Sequence, residues 1–157
     1  YRPEEGSFNT GKIRIAVIAA RWNATVTDAL LDGAVRALAR HGVSGAAVET
    51  FRVPGAFELP LASQQAARTG RFDAIISLGC VIRGDTPHFD YVCAETTRGI
   101  GHVALTENLP VGFGLLTTDN LQQALDRCGD NAENKGEEAA LTILELLTVL
   151  KNMQGAE

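Results

Sequence analysis

The apolar positions of this chain follow two patterns in turn, short β-branched runs and longer stretches with helical spacing. Ile13-Arg14-Ile15-Ala16-Val17-Ile18-Ala19 has the β-branched density and length of a strand. From Ala24 to Arg40, Leu30, Leu31, Ala34, Val35 and Leu38 recur at helical intervals, and Gly42 supplies a stop. A second strand is predicted over Ala46 to Val53, broken by Pro54-Gly55. The next helix runs from about Phe57 to Thr69; Pro60 is tolerable there only because it falls near the first turn. Gly70 closes it, and Phe72–Leu78 reads as a buried strand followed by a helix over His88–Thr106. Pro110 introduces a strand over Val111–Leu116, and Thr117-Thr118-Asp119 offers N-caps for a short helix ending near Arg127. The last helix, about Asn134 to Asn152, carries Ala139, Ala140, Ile143, Leu144, Leu147 and Leu150 on one stripe.

Strand and helix thus alternate four times before a final helix. Such alternation implies a parallel sheet covered by helices on both faces. With right-handed crossovers the expected fold is α/β, a flavodoxin-like three-layer α/β/α sandwich on a four-stranded parallel sheet. Residues 1–11, with Pro3, Gly6 and Gly11, read as a flexible arm that could add one further strand. Residues 12–157 read as a single domain.

Composition narrows the classes. The 157 residues are 45% hydrophobic, and the formal charge of −5 gives no basic footprint for nucleic acid. Mean hydropathy of +0.02 argues against disorder. No apolar run approaches the roughly 18–20 residues of a membrane span, and no signal-peptide core opens the chain, so a cytoplasmic location is expected. Cys80, Cys93 and Cys128 include no CxxC pair, which excludes a complete disulfide framework and the usual zinc spacings. Buried free thiols are the expectation.

Ligands of open α/β sheets bind outside the carboxyl ends of the strands. The stretch Gly79 to Asp90 joins a strand end to a helix start, where backbone N–H groups and the helix dipole favour anions. His88 would open that helix with a side chain able to move a proton near neutral pH. Trp22 follows the first strand; it serves either as a ring capping the core edge or as a stacking platform, with Asn23 hydrogen-bonding beside it. Glu58 sits at a helix start, where it either complements the dipole or accepts hydrogen bonds from a polyol. Thr86 is an N-cap or an anion ligand, and Asp85 beside an anion requires backbone donors with its carboxylate turned away. Asp90 is discounted as a partner of His88, because residues i and i+2 do not face each other on a helix. His88 has no metal-ligand companion at useful spacing, so no metal site is expected. The phosphate-loop, dinucleotide and nucleophile-elbow motifs are absent.

Five blocks in order carry a resemblance: Arg21-Trp22-Asn23, Val53 to Pro60, Gly79 to Gly84, His88-Phe89-Asp90-Tyr91-Val92, and Asn134 to Ala140. Together they resemble the lumazine synthase family over essentially the whole chain after residue 11. The resemblance implies condensation of 5-amino-6-(D-ribitylamino)uracil with 3,4-dihydroxy-2-butanone 4-phosphate in riboflavin biosynthesis, with no metal and no organic cofactor. It implies that Trp22 stacks on the pyrimidine with Asn23 beside it, that Ala56, Phe57 and Glu58 hold the ribityl chain, and that Cys80, Val81 and Ile82 bind the pyrimidine through backbone groups. Gly84, Asp85 and Thr86 would hold the phosphate, with Arg127 of an adjacent subunit; Phe113 of that neighbour would close the ring pocket, with Lys135 close by. His88 would transfer protons.

The family forms homopentamers with active sites between subunits, some packing into a 60-subunit shell, and riboflavin synthase is a candidate partner. Asp85 departs from the small residue common in the family, and Glu133 stands where many relatives have glycine. A non-catalytic flavin or lumazine carrier, or a shell protein on the same scaffold, is the alternative.

Overall fold

Six consecutive buried residues, Ile15–Ala20, form the strand β1 and set the architecture, because both of its faces must be covered. The computed structural model describes residues 2–8 and 10–155; Tyr1 and Asn9 of the expected arm and the last two residues of the expected domain lie outside the described residues. After β1 come α1 (Ala24–Arg40), β2 (Val48–Val53), α2 (Leu59–Arg68), β3 (Ala74–Ile82), α3 (His88–Glu107), β4 (Val111–Thr118), α4 (Leu121–Leu125) and α5 (Lys135–Met153). The four strands form one parallel sheet in the order β2-β1-β3-β4. The expected three-layer α/β/α sandwich is the fold observed.

Alternation along the strands divides the core in two. Ile15, Val17, Ala19, Ile76, Leu78 and Leu116 pack with α1 and α5, whereas Ala16, Ile18, Ile75 and Leu115 pack with α2 and α3. Each buried Val, Leu or Ile side chain among them contributes about 1.5–3 kcal/mol. The α1–α5 layer is close enough that a Cβ on Gly136 would collide with the Leu30 carbonyl.

Several boundaries differ from the sequence expectation. β1 starts at Ile15 rather than Ile13, after Lys12 at φ 66°. The Gly45–Ala47 segment is a 3-10 turn, so β2 begins at Val48. A second 3-10 turn, Ala56–Glu58, precedes α2, whose first turn holds Pro60 as expected. β3 starts two residues later than Phe72 and runs on to Ile82, because Gly79–Ile82 pair with Leu115–Thr118. The Gly79–Asp90 stretch is therefore strand for its first four residues, and the turn begins only at Arg83. Thr117 and Thr118 are likewise strand. The cap of α4 is Asn120, whose side chain accepts the Gln123 N–H at 2.9 Å, and α4 ends at Leu125.

Among the described residues of the arm there is no strand. Arg2 bonds the Ala132 carbonyl at 2.5 Å and Glu137 at 3.1 Å, and Glu5 meets Arg40 at 2.6 Å and His41 at 3.0 Å. The Arg40 hydrogen bond, then that of His41, holds the Glu5 carboxyl below its ordinary range. Among the described residues no helix is long and apolar enough to cross a membrane.

Candidate active site at the carboxyl ends of the strands

β1 sends the chain outward to β2, and β3 returns on its other side, so the order reverses between β1 and β3. Such a switch point opens a crevice at the strands' carboxyl ends. Arg21 N–H donates to the Val53 carbonyl at 2.7 Å and Trp22 N–H to that of Pro54 at 3.0 Å, which locks the turn after β1 to the turn after β2. Asn23 takes the left-handed conformation, φ 63° and ψ 48°, as the N-cap of α1. Its side-chain N–H donates to the Cys80 carbonyl at 2.9 Å. Trp22 is 73% exposed, which removes the reading in which its ring caps the core edge.

Cys80 is 3% exposed, and burial pushes its thiol up to about 11, with Cys128 and Cys93 adding to the shift. It stays neutral near pH 7 and is no nucleophile. Cys128 is also buried, but Cys93 is only partly so, against the expectation for all three thiols. Val81 and Ile82 are half-buried beyond Cys80.

The turn Gly84-Asp85-Thr86-Pro87 is exposed, and its one side-chain bond among the described residues runs from His88 N–H to Thr86 Oγ1 at 3.4 Å. His88 is the first residue of α3 and exposed. It faces a groove of about 730 Å³, one wall of which is Gly55-Ala56-Phe57-Glu58. The other wall is the α3 face carrying His88, Tyr91, Val92 and Arg98. Glu58 is half-buried there and makes no side-chain hydrogen bond among the described residues, so its carboxylate can accept from a ligand.

Local contacts link the predicted residues in groups within one chain. Asn23, next to Trp22, bonds Cys80 across the switch point, while Ala56, Phe57 and Glu58 share the groove with His88. Arg127 and Lys135 are joined to each other, with Lys135 N–H donating to the Arg127 carbonyl at 2.9 Å. Lys135 Nζ pairs with Glu138 at 3.0 Å. Phe113, 46% exposed, pairs with Ser77 in the first half of β4. That is five residues before Thr118, about 17 Å at strand rise, so Phe113 does not reach the carboxyl-end turns of its own chain.

Sequence reasoning missed Tyr91 and Arg98, although Tyr91 lies at i+3 from His88 and helical spacing places it on that face. It also missed Arg83. The Arg83 guanidinium bonds Asp119 at 2.9 Å and Asp90 at 3.4 Å, and lies 4.3 Å from the centre of the Phe89 ring. Asp90 therefore serves Arg83, in agreement with its dismissal as a partner of His88. Among the described residues no group of three His, Cys, Asp or Glu side chains could hold a metal.

Comparison with known proteins places the chain beside a family and a named relative. Residues 12–151 match the family model described as 6,7-dimethyl-8-ribityllumazine synthase. A protein of that name from Nitratidesulfovibrio vulgaris (strain DSM 19637 / Miyazaki F) is 48% identical over 149 residues, spanning 95% of this chain and 96% of that one.

Proposed function

From a chain that belongs to the 6,7-dimethyl-8-ribityllumazine synthase family, we infer a transferase of riboflavin biosynthesis. It condenses 5-amino-6-(D-ribitylamino)uracil with 3,4-dihydroxy-2-butanone 4-phosphate to give 6,7-dimethyl-8-ribityllumazine, phosphate and water. The observation that carries the site reading is the groove shared by His88 and Gly55–Glu58, which puts a proton carrier opposite a half-buried carboxylate suited to a polyol.

In this reading Trp22 stacks on the pyrimidine, and its exposure leaves the ring face free to do so. Ala56, Phe57 and Glu58 hold the ribityl chain. Cys80, Val81 and Ile82 offer backbone groups, an assignment supported by a neutral Cys80 thiol. Asn23 acts through the Cys80 carbonyl it already engages. Gly84, Asp85 and Thr86 hold the phosphate, Asp85 through backbone with its carboxylate outward.

The substrate amine attacks the ketone, giving a carbinolamine and, by loss of water, an imine. His88 shuttles the protons, phosphate leaves, and the ribitylamino nitrogen then attacks the remaining carbonyl, closing the second ring with loss of a second water. Every step makes or breaks bonds with proton transfer and is redox-neutral, so proton carriers and anion ligands suffice. Both substrates are reactive, and positioning supplies much of the acceleration.

The site is completed by a second copy of the chain in a pentamer. The separation of Phe113 from the carboxyl-end turns supports this, as do the exposed apolar residues Phe57, Leu61, Tyr91 and Leu105 on the α2–α3 side. Arg127 and Lys135, joined through their backbones, come from the same neighbour. Because one substrate is a phosphate monoester, which does not cross membranes unaided, the chain works in the compartment that makes it, the cytoplasm.

The test is turnover: the purified chain mixed with both substrates produces the fluorescent lumazine, and no product under saturating substrates contradicts the reading. For the shared site, His88→Ala and Arg127→Ala chains are dissociated, mixed and reassembled. Recovery toward roughly a quarter of normal activity is expected, from interfaces formed by two unaltered faces. Activity no higher than the average of the two parents contradicts a shared site.

A further inference from the structure

Five residues, Arg83 to Pro87, separate the end of β3 from the start of α3, and both ends of this turn are tied by the side chain of the first of them. Arg83 opens the turn, and its backbone N–H donates to the Thr118 carbonyl at 2.8 Å, fixing it to the last residue of β4. Its guanidinium then spans to Asp119, just beyond β4, and to Asp90 in the first turn of α3. Phe89, buried beneath it, gives the guanidinium a ring to stack on at 4.3 Å. The turn itself has little else to define it: Gly84 stands in open space, and Thr86 makes a single long bond among the described residues.

We propose that Arg83 is a positioning residue, which sets the Gly84–Thr86 turn and His88 by clamping the start of α3 to the end of β4. The inference rests on the reading of that turn as the phosphate site. Two carboxylates already occupy the guanidinium, so it orients the turn and does not itself ligate the anion. Its cationic charge also offsets Asp90 and Asp119, which with Asp85 would otherwise repel a phosphate. The Arg83 side chain is 45% exposed, and ion pairs at such exposure add little stability. Its loss therefore acts on geometry at the site and leaves the fold nearly as stable.

Lysine is a poor replacement, because a single ammonium cannot fork to two carboxylates and lie flat on Phe89.

Steady-state kinetics with each substrate varied in turn provides the test. Arg83→Met is expected to raise KM for the phosphorylated ketone about tenfold and to lower kcat several-fold, with KM for the pyrimidine unchanged within about twofold. Arg83→Lys recovers less than about half of that loss. Asp119→Ala, which removes a holder of Arg83 and no cation, also raises KM for the phosphorylated ketone. A fall or no change in that KM for Asp119→Ala overturns the inference, since a guanidinium acting directly on phosphate would be freed by the substitution. Equal rises in both KM values with a large drop in Tm also overturn it, as they signal support of the fold alone. Thr86→Val and Arg127→Ala stand as separate controls. If they leave KM for the phosphorylated ketone unchanged, the phosphate reading itself fails and the inference falls with it. If they raise it while Asp119→Ala does not, only the role of Arg83 is lost.

Discussion

The Asn23 side-chain N–H donates to the Cys80 carbonyl at 2.9 Å, joining the left-handed entry of α1 to the carboxyl-terminal part of β3. The bond crosses the switch point between β1 and β3. It connects the turn that carries Trp22 with the strand whose backbone is assigned to the pyrimidine.

Two substitutions separate the parts Asn23 plays. Asn23→Gly keeps the left-handed backbone and loses the hydrogen bond, at about 1 kcal/mol. Asn23→Ala adds left-handed strain and costs about 1–2 kcal/mol more. Denaturant midpoints should fall in that order, and both variants should raise KM for the pyrimidine. Equal midpoints would contradict the strain argument.

His88→Ala should slow turnover only by roughly tens of fold, below the 10²–10⁴ often assigned to acid–base groups. The check is kcat alongside direct titration of the pyrimidine, whose binding should persist. Complete loss of turnover with intact binding would make His88 far more than a shuttle.

Burial sets a pH signature at Cys80. The folded thiol, at about 11 against an ordinary 9, holds its proton longer than the unfolded one. The stabilisation is complete below pH 9 and is lost as pH rises from 9 through about 11, because the unfolded chain ionises first. Cys80→Ala should flatten the loss of stability in that window, measured by denaturant unfolding. Thiol alkylation near pH 8 should reach the partly exposed Cys93 before Cys80.

Asn134 is buried at the start of α5, and its side chain is fully engaged. It accepts from Glu137 N–H at 3.0 Å and donates toward the carbonyls of Cys128 and Gly129 at 3.0 Å and Ala29 at 3.3 Å. Asn134→Ala removes the cap and leaves buried carbonyls unpaired, at about 2–4 kcal/mol. Asn134→Asp keeps the acceptor and still destabilises, because the donors are gone. Thermal unfolding distinguishes these from the wild type, and an unchanged Tm for the aspartate variant would refute the donor role.

Local periodicity made much of the scaffold legible. α1 spans Ala24–Arg40 as its apolar spacing predicts, and Pro60 lies in a first helical turn as its missing N–H requires. The end of β3 was misread because Gly79 looks like a turn residue. In the sheet Gly79 serves packing instead: a Cβ there would lie 2.9 Å from Leu59 Cδ1, on the helix covering that face. Asn120 was overlooked as the α4 cap because two threonines and an aspartate precede it, and strand pairing claims both threonines.

The candidate site divides in the same way. Trp22, Glu58 and His88 were visible as chemistry-bearing residues at strand ends. Arg83 was not, because its partner Asp119 is 36 residues away and only the β3–β4 register brings them together. Phe113 and Arg127 could be named only from resemblance, since no periodicity within one chain points to a residue that acts on another.

The central claim is that this chain joins the two substrates and expels phosphate. The most direct measurement incubates the purified chain with both substrates and follows lumazine fluorescence and inorganic phosphate in the same sample. The account predicts that the two rise together, one phosphate for each lumazine, and that neither rises when one substrate is omitted. Tight binding of the pyrimidine or of added lumazine, with no phosphate released, would contradict it and identify a carrier on the same scaffold.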